Sequence, residues 1–291
     1  MIDNQRDIRW HMRPYLIDFL IEFHSAYSML SETLFLAINL LDRYCSKRQV
    51  LRQHYQLAGC VALFIASKYG DKKCNTPCAK DLNRMCRGIY EIRLFSQMEL
   101  HVLDSLGWAV GHPTGELFSK IFLAEHGDDK EVECMAAYLR EIALYHRSFV
   151  STKPSVMARS SLALARTILN RNRVKEEGED EASTSITLSQ HLREPSTTLA
   201  RKYSTYSLCH VSQKLAEFTS RGSVRTHRIA HISVPYIGVT NRFSNGFGDG
   251  VEDSNGAIAV DGISASSDIS KNHSMQKSES FNEVSASNGC L

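Results

Sequence analysis

The chain has 291 residues, of which 43% are hydrophobic and 23% charged, with 34 basic against 32 acidic side chains. That is room for about two ordinary domains with apolar cores, and charge this balanced, with Lys72-Lys73 as its densest basic run, lacks the basic face of a nucleic-acid binder. The opening Met1-Ile-Asp-Asn-Gln-Arg-Asp has no apolar stretch of the secretory kind, and runs such as Val61-Ala-Leu-Phe-Ile-Ala66 are too short to span a bilayer.

Residues 10 to 170 carry helical periodicity almost throughout. A first helix from Met12 sets Leu16, Leu20, Phe23 and Tyr27 at spacings of four and three. Ser31 is placed to cap the second, since its hydroxyl can take an orphan N–H of the first turn; Leu34, Ile38, Leu41 and Cys45 share one face there. A third helix, about 53–69, combines Leu57, Val61, Phe64 and Ile65 with Ala58, Gly59, Ala62 and Ala66. Small residues in an apolar helix let neighbouring backbones come close, so this is the expected centre of a bundle. A short helix after Pro77 (78–86) and a fifth at about 91–106, with Leu94, Met98, Leu103 and Leu106, complete an all-α unit. No two-residue alternation argues for a strand.

His112-Pro113-Thr114 interrupts the pattern, and helices are expected at about 114–126, 131–148 and 155–171. The last starts at Ser151 or Thr152 followed by Pro154, which lacks an N–H that the first turn does not need. The charged stretch 172–196 reads as a solvated polar insertion. A helix is expected again at 197–219, with Leu199, Tyr203, Tyr206, Val211, Leu215 and Phe218. From 221 to 291 Ser, Asn and Gly dominate, and a disordered tail is expected because little surface can be buried to offset ordering; a short apolar stretch, Ile229 to Val239, could pack locally.

The first three helices read Met12-Arg-Pro-Tyr-Leu-Ile-Asp-Phe-Leu20, Glu32-Thr-Leu-Phe-Leu-Ala-Ile-Asn-Leu-Leu-Asp-Arg43 and Gln56-Leu-Ala-Gly-Cys-Val-Ala-Leu-Phe-Ile-Ala-Ser-Lys68, and the fifth holds Met98-Glu99. In this order and spacing the four segments resemble the cyclin box. His112-Pro-Thr and Pro154-Ser-Val resemble parts of a second cyclin fold. The resemblance implies an N-terminal arm (1–9), a cyclin box (10–111), a divergent second cyclin fold (112–220) and the tail: two tandem five-helix bundles. Met-Arg-Pro-Tyr-Leu, Leu-Leu-Asp-Arg-Tyr-Cys and Ala-Ser-Lys-Tyr-Gly-Asp look most like fungal G1/S cyclins.

The implied function is that of a non-catalytic subunit that binds and activates a cyclin-dependent protein kinase, in nucleus and cytoplasm. The implied kinase-binding residues are Lys68 and Glu99, which in the family hydrogen-bond kinase main chain near its mobile αC helix, with Ile65, Tyr69, Leu103 and Trp108 as apolar contacts. Read without the family, Lys68 is a cation at a helix C-terminus, Glu99 a solvated residue and Trp108 core. Met12, Tyr15, Leu16, Phe19 and Gln56 match the patch that docks short substrate or inhibitor motifs; Leu16 and Phe19 equally fit a core. Phe19 stands where the family usually has Trp. Arg13 and Asp42 match an internal, structural pair.

Rival readings are a cyclin of the phosphate-response or transcriptional kinase classes and a transcription factor IIB-like protein; scattered charge, Lys68 and Glu99 weigh against the latter. No HExxH, P-loop or GxSxG occurs, so no enzyme is expected. Neither is a metal or cofactor, because Cys74, Cys78 and Cys86 lack the second ligand pair of a structural zinc site. Cysteines inside helical patterns, such as Cys45 and Cys60, read as reduced thiols. The tail contains no Ser-Pro or Thr-Pro; Thr76-Pro77 is the chain's one such dipeptide.

Overall fold

Helix starts and small residues explain most of the architecture. The structure, a computed structural model, describes residues 2–172, 178–193 and 195–229, and they form eleven α-helices with short 3₁₀ turns. In the first repeat, α1 (Arg13–Ala26) has Pro14 in its first turn, where a missing N–H costs nothing. It leads into α2 (Ser31–Lys47) and α3 (Arg52–Gly70). Residues Leu57 to Ser67 of α3 are all buried, so this helix is enclosed on every side. A Cβ on Gly59 would stand 2.9 Å from Leu16 Cδ1, so the glycine lets α1 lie directly against α3. The short α4 (Ala79–Met85) and α5 (Ile92–Ser105) close the bundle.

The expected Ser31 cap is replaced. Leu30 occupies the cap position, and Asp71, just beyond α3, supplies the acceptor: it takes the Leu30 N–H and the Thr33 hydroxyl, each at 2.7 Å. A carboxylate from another helix end thus ties down the cap residue and the first turn, while no side chain caps a first-turn N–H.

The second repeat begins with α6 (Gly115–His126), where Thr114 Oγ1 accepts the Leu117 N–H. α7 (Lys130–Ala143), capped by Asp129, and α8 (Pro154–Ile168) follow. α7 stops short of the expected residue 148, and a 3₁₀ turn (Arg147–Phe149) follows. Pro154 opens α8 as expected, but Lys153 rather than Ser151 or Thr152 holds the cap position.

The polar insertion is not a loop throughout. Residues Glu179–Gln190 form α9, which packs along α8 and buries Leu188. Ser160 on α8 donates to the Glu181 carbonyl at 2.9 Å and Ser185 donates back to the Ser160 carbonyl at 3.2 Å. Small hydroxyl residues bring the two helices into hydrogen-bonding range, and tertiary contact overrides a composition that looks solvated. The single helix expected at 197–219 is broken into α10 (Thr197–Lys202) and α11 (Val211–Ile229). Cys209 and His210, both at positive φ, turn the chain between them. Residues 221–229, expected in the tail, belong to α11; the rest of that expectation, residues 230–291, lies outside the described residues.

Polar contacts join the repeats. Arg13, buried on α1, grips Asp42 with both Nη atoms (2.5 and 2.9 Å) and donates from Nε to the Leu144 carbonyl just past α7. Asp18 accepts from Tyr145 and Ser196 at 2.7 and 2.6 Å. Arg13 and Asp42 are thus internal, as the resemblance implies.

Candidate functional site

Lys68 lies in the last turn of α3 and Glu99 in the middle of α5, two helices that pack against each other. Lys68 Nζ donates to both carboxylate oxygens of Glu99, at 2.7 and 3.0 Å, and sits 3.8 Å from the centre of the Phe64 ring. The lysine remains 46% exposed and the glutamate 17%. A bidentate pair over an aromatic ring is held in place while its outer hydrogen-bonding positions face solvent, so it can also engage another chain.

Beside it the chain makes an unusual turn. After α5, Gly107 and Trp108 both take left-handed backbone, φ +62° and +58°. Glycine adopts this freely; for a bulky residue it is an outlier that the surroundings must impose. Three hydrogen bonds impose it: Trp108 N–H to the Leu103 carbonyl (2.9 Å), Trp108 Nε1 to Asp104 (3.0 Å), and Arg43 to the Ala109 carbonyl (2.6 Å). The indole is held outward, 60% exposed, and so is not core. Tyr69, next to Lys68, is 62% exposed, and its hydroxyl lies 2.6 Å from where a Gly111 Cβ would be, so the ring rests along backbone that must stay bare.

The structure sorts the expected contact residues. Lys68, Tyr69 and Trp108 are exposed, Glu99 and Leu103 half-buried. Ile65 is buried at 4% exposure and corrects the expectation of a direct contact: it backs the site from the core. Two residues were not foreseen: Phe64, under the lysine, and Leu100, an exposed leucine next to Glu99. An apolar residue on the solvent side of an amphipathic helix was the available signal for Leu100.

The expected docking patch spreads over α1 and α3. Tyr15 is 76% exposed; Met12, Phe19 and Gln56 are half-buried. Leu16 is buried against Gly59, so it supports the patch instead of lining it. Phe19 tilts against Phe23 with ring centres 6.3 Å apart.

Residues 1–111 match the family of cyclin N-terminal domains, and residues 113–228 that of cyclin C-terminal domains. The chain belongs to the cyclin family. It is 43% identical over 179 residues to the G1/S-specific cyclin CCN1 of Candida albicans, covering 54% of this chain and 26% of that protein. It is 43% identical over 122 residues to the G1/S-specific cyclin CLN3 of the same organism, covering 42% and 26%, and 35% identical over 170 residues to its G2/mitotic-specific cyclin-4, covering 58% and 35%. This cyclin thus spans about a quarter to a third of the length of these curated relatives. Its fold resembles a viral cyclin from herpesvirus saimiri, with a TM-score of 0.54 at 16% identity over 74% of this chain and 89% of that one. It also resembles a chain of the yeast RNA Pol II CTD kinase CTDK-1 complex, with a TM-score of 0.53 at 13% identity over 76% and 79%. Two tandem cyclin domains built of helices are the architecture of the described residues. Among those residues, no group of three or more His, Cys, Asp and Glu could hold a metal ion, and no helix is long and apolar enough to cross a membrane. Cys86 lies with Cys60 in the core, Sγ to Sγ 3.3 Å, away from the exposed Cys74 and Cys78.

Proposed function

We propose that this cyclin is a non-catalytic subunit that binds and activates a cyclin-dependent protein kinase, and that it acts at the G1/S transition. The observation that carries the first part is the solvent-facing Lys68–Glu99 pair, with exposed Tyr69 next to Lys68 in the chain and exposed Trp108 just after α5. Two opposite charges with unused valences can accept from and donate to a partner's main chain, and the flanking aromatics give the apolar anchors that concentrate binding energy. Kinase catalysis requires the β3 Lys–αC Glu ion pair to be in place. A subunit that binds the αC-in kinase more tightly than the αC-out form shifts the population toward activity without doing chemistry itself. The G1/S assignment rests on the likeness to two G1/S-specific cyclins. Tyr15, Met12, Phe19 and Gln56 serve as the docking patch for short substrate or inhibitor motifs. The complex works in nucleus and cytoplasm.

The test is histone phosphorylation by a purified cyclin-dependent kinase with and without this chain. Activity is expected only with it. Lys68→Ala with Glu99→Ala lowers affinity for the kinase at least about tenfold, about 1.4 kcal/mol or more. Trp108→Gly removes the anchor while relieving the left-handed strain, so the chain stays folded and binds weakly. Full activation by the double alanine variant refutes the proposed surface. In synchronised cells the associated kinase activity rises before DNA replication; a rise confined to mitosis refutes the G1/S part.

A further inference from the structure

Two cysteines meet inside the first repeat. Cys60 lies in the middle of α3 and Cys86 ends α4, and their sulfurs are 3.3 Å apart. Both are buried, 0% and 1% exposed. A disulfide bond is about 2.0 Å long, so the sulfurs need to close by about 1.3 Å to form one.

The two thiols differ in character. Its hydrogen bond with Cys86, together with burial, holds the Cys60 thiol well above its ordinary pKa, while the same hydrogen bond lowers that of Cys86. Cys60 is therefore the S–H donor, and Cys86 is the sulfur with thiolate character, the nucleophilic form.

Cys86 is also the one that a small solute can reach. α4 has only seven residues, of which Leu82 alone is buried, and it packs chiefly on α5. The side-chain oxygen of its Asn83 is buried without a hydrogen-bond donor among the described residues, which costs free energy. Directly after Cys86, Arg87 and Gly88 both take left-handed backbone, φ +54° and +72°, and residues 87–89 are exposed. That backbone is strained for an arginine. A short helix with these handicaps opens locally at lower cost than the enclosed α3, and its opening uncovers Cys86.

We propose that Cys60 and Cys86 are a redox-sensitive pair that a peroxide converts to a reversible disulfide, locking the end of α4 to α3. The Cys86 thiolate attacks one peroxide oxygen. The O–O bond breaks, sulfur gives up two electrons and becomes a sulfenic acid, and the hydroxide that leaves takes up a proton. When α4 settles back, the Cys60 sulfur attacks the Cys86 sulfur. The S–S bond forms, and the sulfenic hydroxyl leaves as water with the Cys60 proton. In sum, two thiols and one hydrogen peroxide give one disulfide and two waters, and a dithiol reverses the step by exchange. The bond holds the shortest α-helix of the repeat against its central one, so oxidation stabilises the fold. Lys68 and Glu99 take no part.

The test is hydrogen peroxide treatment of the folded full chain carrying Cys74→Ser and Cys78→Ser, which removes the two exposed thiols. Remaining thiols are then alkylated in denaturant, and the tryptic peptides are weighed by mass spectrometry. The expected product is peptide 53–68 joined to peptide 85–87, two hydrogens lighter than their sum and separated by dithiothreitol. The unfolding midpoint of the oxidised chain is expected to lie roughly 5 °C or more above that of the reduced chain. Tryptic cleavage of the undenatured chain at Arg84 and Arg87 is expected to slow at least about fivefold on oxidation. Cys86→Ala abolishes the link and both changes. Cys60 and Cys86 still open to alkylation after peroxide, Cys86 joined to another cysteine or carried unlinked to sulfinic acid, bond formation no faster than in the urea-unfolded chain, or an unmoved midpoint in the linked chain would each overturn the proposal.

Discussion

The central helices α3 and α8 of the two repeats end in the same device with opposite exposure. Each buries its middle and carries a basic residue in its last turn, paired with a carboxylate from a neighbouring segment. In the first repeat Lys68 meets Glu99 and stays 46% exposed. In the second, Arg166 binds both oxygens of Asp128, Nε to Oδ1 at 2.9 Å, and is 6% exposed. The segment after α3 is the seven-residue α4, which packs on α5 and leaves the end of α3 open. After α8 the chain returns along it as α9. Pairing alone therefore does not mark a binding site. The same kind of ion pair is buried in one repeat and open to solvent in the other, where we propose that a partner meets it.

The largest expected effect is on the covered pair. Arg166→Ala leaves the Asp128 carboxylate without its partner in a mostly buried place and destabilises the fold by about 3 kcal/mol, measured by denaturant unfolding. Removing the exposed Lys68 costs under about 1 kcal/mol, because water screens and replaces it. Equal costs would abolish the contrast. Next is the close approach inside the first repeat: Gly59→Val drives side-chain atoms into Leu16 and costs about 1–3 kcal/mol.

A smaller effect is confined to acid. His146 stacks on His191 at 3.9 Å, and burial together with that neighbour lowers its pKa to about 4. The unfolded chain, with an ordinary histidine near 6.5, binds the proton first. Stability therefore falls as pH drops from about 6.5 toward 4, and this group adds no slope above pH 7. His146→Gln flattens that limb in unfolding midpoints taken across pH; an unchanged limb means other groups carry it.

The first repeat was legible in the sequence because its helices are amphipathic or uniformly apolar and its small residues sit where backbones meet. Gly59 against Leu16 is the clearest case. The second repeat was less so. α9 has the composition of a loop and becomes a helix because Ser160 and Ser185 bond across to its neighbour. The Ser31 cap failed because the helix starts at Ser31 itself, with Leu30 as the cap residue held by Asp71, 38 residues beyond Thr33. Likewise Lys68 and Glu99 stood out through family likeness, while the outward Trp108 depends on a backbone turn held by Arg43 and Asp104, which no spacing announces.

By itself the sequence determined the all-helical class and the positions of most helices, since periodicity and local chemistry act over a few neighbouring residues; the exposed pair was singled out by the family resemblance. Only the tertiary structure decided exposure. It buried Ile65 and Leu16, turned Trp108 outward and hid Arg166. Exposure depends on which distant segment covers a residue, and the packing of whole helices decides that.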